Sequence, residues 1–147
     1  MTAASAGPRD GECGRTRRVA SATAAGRSDA GAGALQLQNG GTFNLTNNNN
    51  TGTLNANGAS LNFRDDTGFI VSGITTTGNI ALSTAGNVTQ TGTIVTPGAL
   101  NLNGVGGVYD LCTQNNDIAT LNVNTKTIAF KDINTYALGT LSLTGAL

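Results

Sequence analysis

The sequence predicts an all-β protein that folds as a parallel β-helix of about 20 residues per coil. The first observation is a short apolar–polar–apolar triplet, such as Leu100–Leu102, that returns at an almost constant interval. The second is that other apolar positions return with the same interval in separate series. The third is composition: 21 Gly, 11% charged and 4% aromatic residues, with abundant Asn and Thr, disfavour helices.

The triplet predicts the two faces of one strand in every coil. Alternate side chains of a strand point to opposite faces, so its apolar residues are expected to face the core. The middle residues would form an outer ladder in which Asn side chains can hydrogen-bond. Steps of 19, 20, 21 and 20 residues give the predicted inner column Leu61, Ile80, Leu100, Leu121 and Leu141, preceded by Phe43. The predicted outer column is Asn44, Asn62, Ala81, Asn101, Asn122 and Ser142.

Other apolar residues repeat with the same period, which indicates three strands per coil. The series are Leu54, Ile74 and Ile94; then Ile70, Val88, Val108 and Ile128; and finally Ile118 with Leu138. With neighbouring strands ~4.8 Å apart, six coils would make a rod roughly 25–30 Å long.

The chain divides into two regions of different composition. Residues 1–33 contain one Val and no Leu, Ile or Phe, so they cannot bury enough apolar surface to offset the entropy of ordering. They also lack the apolar stretch of a signal peptide. We therefore expect residues 1–33 to be a disordered, low-complexity segment and residues 34–147 to form one repeat domain.

An antiparallel sandwich or barrel is the alternative fold. Asn39-Gly40, Asn57-Gly58 and Asn103-Gly104 are all favourable dipeptides for hairpin turns. A sandwich has no reason to repeat at about 20 residues over five consecutive units, so the period favours the solenoid.

Charge and reactive residues restrict the functions that the sequence supports. The formal net charge is zero, which argues against nucleic acid as a partner. No run approaches the ~20 apolar residues of a membrane span, so no membrane insertion is expected.

The chain has no His to act as the base of a catalytic triad. Cys13 and Cys112 match neither a metal motif nor a disulfide framework. We therefore expect no enzyme activity, no cofactor and no catalytic, cofactor-binding or metal-binding residues.

Arg64-Asp65-Asp66 is the nearest approach to a catalytic motif. Neighbouring residues of a strand face opposite ways, and the RDDTG sequence is typical of a solvated turn. An enzyme acting on polysaccharides would need these residues to meet further charged side chains on one face of the helix. The candidates for that group are Lys126, Lys131 and Asp132.

Several segments resemble the repeats of filamentous haemagglutinin-type bacterial exoproteins. They are Thr77–Ile94 (TGNIALSTAGNVTQTGTI), Gly98–Leu102, Asn115–Val123 and Tyr136–Leu143, and the resemblance covers about residues 34–147. It implies a right-handed parallel β-helix that serves as a non-catalytic structural or adhesive segment of a large secreted or cell-surface protein. The partners would be host-cell or surface glycans or proteins, and adjoining β-helix coils of a longer chain. Two alternatives stay open: a polysaccharide lyase or hydrolase on the same fold, and an inactive gene fragment.

Overall fold

A computed structural model describes residues 16–19 and 29–145 of the chain, with side chains from residue 33 onward. Within these ranges the protein contains strands and turns and no helix, so no described helix could span a membrane. Parallel strands stack as a β-solenoid of about 6 turns with a spacing of about 19 residues. The predicted all-β solenoid is thereby confirmed.

Ten strands build the described part of the solenoid. They are β1 (Thr16–Val19), β2 (Asp29–Leu37), β3 (Thr42–Leu45), β4 (Asn50–Gly58), β5 (Ser60–Arg64), β6 (Gly68–Thr76), β7 (Ile80–Ser83), β8 (Asn87–Gln90), β9 (Ile94–Asp132) and β10 (Ala137–Leu143). Strand β9 is 39 residues long and continues around the corners of the last coils. The pairing order is β1-β2-β4-β6-β8-β9-β7-β5-β3, with further pairing of β6 and of β10 to β9.

The predicted inner column is confirmed over its first four coils. Phe43 pairs with Leu61, Leu61 with Ile80, and Ile80 with Leu100, and all four side chains are buried. Burying an aliphatic or aromatic side chain of this size contributes roughly 1.5–3 kcal/mol, so the column is a major source of stability.

The last step of that column was predicted wrongly. Leu121 pairs with Leu138, 17 residues later, and Val123 pairs with Leu141, 18 residues later, so this coil is shorter than the predicted step of 20 residues. A register irregularity between Leu138 and Leu141 accounts for the difference between the two offsets. At this spacing Ser142 lies beside Asn124, so Ser142 does not continue the outer column at Asn122.

The other series were predicted only in part. Ile74 pairs with Ile94 as expected. Leu54, however, pairs with Val71, because the step from β4 to β6 is shorter than the period of the triplets. Ile118 also fails as the predicted partner of Leu138, whose partner is Leu121.

The series that begins at Ile70 was predicted correctly at Val88 but one residue out of phase at Ile70 and Val108. Phe69, Val88 and Tyr109 pair in register and are buried, whereas the Ile70 side chain is 39% exposed. Because side chains alternate along a strand, a slip of one residue exchanges the inner and outer faces. Val108, which pairs with Asn87, therefore does not take the inner position.

The antiparallel alternative is wrong, although one of its three Asn-Gly signals, Asn39-Gly40, marks a real turn. Asn39 and Gly40 have φ values of 77° and 70°, the left-handed conformation expected of an Asn-Gly turn. They join β2 to β3 at a corner of the solenoid, and the Gly40 N–H donates to Asn57 O of the next coil at 3.3 Å. The dipeptide bends the chain without pairing the strands that it connects.

Two strands reach into the segment predicted to be disordered. Strand β1 lies within residues 1–33, and β2 begins at Asp29 and pairs with β1 from Ala34 onward. The remaining residues of that segment lie outside the described ranges. The division of the chain at residue 34 stays a prediction.

Candidate functional site

The most unusual feature of the interior is a set of buried polar side chains at the corners of the coils. At one corner the Asp65 carboxylate is buried and accepts three hydrogen bonds. The Thr51 N–H donates to Oδ2 at 2.6 Å, while the Thr67 N–H at 3.0 Å and the Thr67 hydroxyl at 2.6 Å donate to Oδ1. The prediction of a solvated turn is therefore wrong for Asp65, which faces inward and joins successive coils.

Asn49 lies one coil below Asp65 at this corner. Its buried Nδ2 donates to Leu45 O at 3.0 Å, Asn47 O at 2.8 Å and Arg64 O at 2.7 Å. These carbonyls come from the same coil and from the next one. The amide therefore satisfies backbone groups that the bend removes from the β-ladder, where an unpaired buried carbonyl would be costly.

A second corner is organised by Asn116, whose side chain is buried and takes part in five hydrogen bonds. Its amide exchanges a reciprocal pair with the Gln90 amide, at 2.9 and 3.2 Å. Asn116 Oδ1 also accepts from the Ile94 N–H at 2.9 Å. Nδ2 donates to Leu111 O at 3.0 Å and Lys131 O at 2.8 Å. Three successive coils meet at this one side chain.

The Asn116 corner repeats the Asn49 corner, and Asp132 takes the place of Asp65. Asp132 Oδ2 accepts from the Ile118 N–H at 3.1 Å and Oδ1 accepts from the Asn134 N–H at 2.8 Å, matching the bonds of Asp65. The Phe63–Phe69 edge-to-face pair, with ring centroids 5.1 Å apart, has its counterpart in Phe130–Tyr136 at 5.6 Å. The two regions are structural copies of one another, related by the constant sequence offset that leads from Asn49 to Asn116.

Strand register confirms the duplication. Leu54 pairs with Val71, and its counterpart Leu121 pairs with Leu138. The other equivalent pairs are Thr53–Ile70 with Thr120–Ala137, Ala56–Ile74 with Val123–Leu141, Asn57–Thr75 with Asn124–Ser142, and Gly58–Thr76 with Thr125–Leu143. Strands β4 and β6 are thus reproduced by the second half of β9 and β10.

The sequence carries a signal for this duplication that the coil period does not reveal. Residues 48–57 read NNNTGTLNAN and residues 115–124 read NNDIATLNVN, which share six of ten positions. The offset between them is not a whole number of coils, so the repeat of about 20 residues does not bring the two segments into register. It is close to three and a half coils, and the second copy begins half a coil further around the solenoid.

The outer face of β3, β5, β7 and the middle of β9 carries the predicted asparagine column. We call this surface the asparagine face. Asn44 pairs with Asn62, Asn62 with Ala81, and Ala81 with Asn101. The predicted ladder bond forms at one step, where Asn122 Nδ2 donates to Asn101 Oδ1 at 3.0 Å. A surface groove beside it is lined by Asn101, Asn103, Asn122, Val123, Asn124 and Thr140.

Two exposed polar pairs form between residues close in sequence. Arg64 donates to Asp66 at 2.6 Å, and this bond lowers the pKa of Asp66 and raises that of Arg64. The exposed Cys112 thiol donates to Asp110 at 3.1 Å, which raises its pKa because the thiolate would face a carboxylate. Asp65 and Asp132 lie at different corners, so the structure does not bring together the carboxylates that the enzyme alternative requires.

Metal binding finds no support in the part of the chain that the structure describes. No group of three or more His, Cys, Asp or Glu side chains lies close enough there to hold an ion. Asp65, which is completely buried, already accepts three hydrogen bonds from the protein.

Comparison with protein-family models, curated proteins and solved structures finds no significant match to this chain. The resemblance to filamentous haemagglutinin-type exoproteins therefore stays a prediction drawn from the pattern of the sequence repeats.

Proposed function

We propose that this chain is a non-catalytic structural and adhesive β-helix segment of a large secreted or cell-surface bacterial exoprotein. The observation that carries the proposal is that its buried polar side chains form hydrogen bonds to the backbone of the solenoid. The buried side chains of Asp65 and Asn116 form hydrogen bonds to backbone amides and carbonyls of their own and of adjacent coils. Their role is to hold the rod together.

A rod of this kind would act through its sides. The asparagine face offers primary amides, each able to donate and to accept hydrogen bonds. Among the outward side chains of β3, β5 and β7, only that of Arg64, at the border of the face, is charged. Asn62 and Asn124 are exposed on this face. Their side chains form none of the hydrogen bonds described above, so the fold does not depend on them. Uncharged, hydroxyl-rich surface glycans are the partners that such a face suits best, with surface proteins as the other class.

The proposal can be tested with the whole purified chain on immobilised neutral glycans and on intact cells. Asn62→Ala and Asn124→Ala are expected to weaken retention by about two- to tenfold each, the effect of losing one or two hydrogen bonds. Thr75→Ala and Thr89→Ala remove exposed polar side chains from the opposite strands β6 and β8, and serve as matched controls.

Four results would overturn the proposal. Equal retention of all four variants, or no retention of the unmodified chain, would remove the adhesive role. Release of reducing or unsaturated sugar ends from a polysaccharide would favour the enzyme alternative. A chain that is unfolded by circular dichroism would favour an inactive gene fragment.

A further inference from the structure

The amide-lined groove of the asparagine face occurs a second time, on another face of the solenoid. By the offset that relates the two copies, Asn122 corresponds to Asn55 and Asn124 to Asn57. Asn122 and Asn124 line the groove beside the ladder bond, which we call the β9 groove. Asn55 and Asn57 line a groove of their own, the β4 groove, together with Gln38, Asn39 and Gly40. The duplication has therefore reproduced two asparagines of the groove.

A register irregularity lies above the first asparagine of both grooves. In β6 it makes Ser72 an extra residue opposite β4, and Asn55 Nδ2 lies 3.5 Å from Ser72 O. In β10 it includes Thr140, whose N–H donates to Asn122 Oδ1 at 2.9 Å. Such bulges bend a strand and redirect the side chains beside them. Asn55 and Asn122 are thus held in equivalent surroundings, which is independent evidence that the two grooves are built alike.

The second asparagine of each groove is free to bind a ligand. Asn57 and Asn124 are exposed, and in the part of the chain that the structure describes their side chains form no hydrogen bond. Neither groove is lined by a charged residue. Two adjacent ring hydroxyls of a sugar can engage one carboxamide, the first donating to its oxygen and the second accepting from its nitrogen. The β4 groove has a volume of about 420 Å³ and the β9 groove about 330 Å³, within the range of small-molecule sites.

We propose that the β4 groove is a second glycan site, which makes the chain bivalent for neutral, hydroxyl-rich glycans. The class of ligand rests on the proposed function. Strand β4 stacks between β2 and β6, whereas the β9 groove continues the stack of β5 and β7, so the two sites lie on different faces. A flat surface that covers one face leaves the other free. One chain can therefore bridge two glycan-bearing surfaces, although it cannot hold one surface with both sites.

Nuclear magnetic resonance of the full, isotope-labelled chain tests the second site without any substitution. The probes are cellotetraose and maltotetraose, a β-linked and an α-linked neutral tetrasaccharide. The side-chain amide signals of Asn57 and Asn124 are both expected to shift and to saturate, because each reports one groove. Asn124→Ala should leave the shift at Asn57 unchanged, since the two sites are separate.

Aggregation of beads that carry the same sugar tests bivalency, and the unmodified chain is expected to aggregate them. Asn57→Ala should reduce aggregation by at least about threefold, the effect of losing one or two hydrogen bonds. Retention on a flat glycan layer should stay within about twofold, because the asparagine face still binds there. Asn57 is exposed, so the fold should persist. Thr89→Ala removes an exposed polar side chain that lines neither groove, and should change neither measurement.

The proposal fails if the sugars shift the Asn124 signal but not that of Asn57, a result that leaves the adhesive role intact. It also fails if aggregation survives Asn57→Ala, because a dimer that presents the asparagine face twice would then explain the bridging. Sedimentation of the chain alone identifies such a dimer. No shift at either residue, with no retention on glycans, would overturn the adhesive role and this proposal together.

Discussion

Asp65 and Asp132 make equivalent hydrogen bonds at the two copies of one corner. Each accepts from the backbone N–H 14 residues earlier, that of Thr51 or Ile118, and from the N–H two residues later. The carboxylates thus replace ladder bonds where the coil turns a corner. Asp65 is completely buried, whereas Asp132 is partly exposed, so we expect Asp65 to contribute more to the stability of the fold than Asp132.

Asp65→Ala is expected to lower the free energy of unfolding by about 2–4 kcal/mol, because it leaves the buried Thr51 N–H and the two Thr67 donors without their acceptor. Asp132→Ala should cost less, about 1 kcal/mol, since water can reach its corner. Urea unfolding followed by circular dichroism measures both. Asp66→Ala, at the neighbouring and partly exposed position, is the control, and an equal loss for Asp65 and Asp66 would contradict the buried role of Asp65.

Asn116 and Gln90 should be energetically coupled. Asn116→Ala is expected to cost about 2–4 kcal/mol, because it leaves the Ile94 N–H and two carbonyls unpaired. Once Asn116 is removed, Gln90→Ala should cost less than it does alone, with a coupling energy of about 0.5–3 kcal/mol. A double-mutant cycle in urea measures the coupling. Additive losses would show that the reciprocal amide pair contributes nothing of its own.

The solenoid could be predicted from sequence because its strongest signal is local and periodic. Phe43, Leu61, Ile80 and Leu100 repeat with little variation in coil length, and their column is confirmed. Where coil length varies, the same reasoning misplaced side chains. The short coils that follow Leu54 and Leu121 each moved a predicted partner away from its expected position.

The corners could not be predicted in the same way. Asp65 stands in RDDTG, a sequence with every mark of an exposed turn, and its burial depends on backbone donors that only stacking brings near. Asn49 sits in a run of four Asn in which nothing local distinguishes the buried one. For Asn116, the matching segment around Asn49 was the available signal.

Glycines at two corners should differ in cost when replaced. Gly40 and Gly104 both have positive φ, at 70° and 117°. An added Cβ meets nothing within 4 Å at Gly40, but at Gly104 it would collide with Thr84 O of the adjacent coil. Gly40→Ala should therefore cost about 1–2 kcal/mol from backbone strain alone.

Gly104→Ala should cost about 3 kcal/mol or more, because the coils must separate as well. Thermal unfolding of both variants compares them directly. Gly106→Ala, at an exposed glycine of β9 without positive φ whose added Cβ would lie 3.2 Å from Ala85 O, is the control and should cost about 1 kcal/mol or less. Similar losses at Gly40 and Gly104 would indicate that the coils do not approach closely at Thr84.

Alkaline pH should destabilise the protein through Tyr109. This buried side chain donates its single hydroxyl proton between two carbonyls, Asn103 O at 2.7 Å and Leu82 O at 3.0 Å. Burial raises its pKa well above the ordinary value, since the phenolate would be desolvated. The folded state therefore retains the proton where the unfolded chain loses it. The resulting stability is complete below about pH 10, the pKa of an unfolded Tyr, and declines as the pH rises above it.

Tyr109→Phe is expected to reduce that decline and to cost about 1–2 kcal/mol at neutral pH, because the two carbonyls lose their donor. Urea unfolding at pH 7 and at pH 10.5 measures both effects. Tyr136→Phe keeps the Tyr109 hydroxyl and should retain the alkaline loss, so it is the matched control. An unchanged decline in Tyr109→Phe would show that another group governs alkaline unfolding.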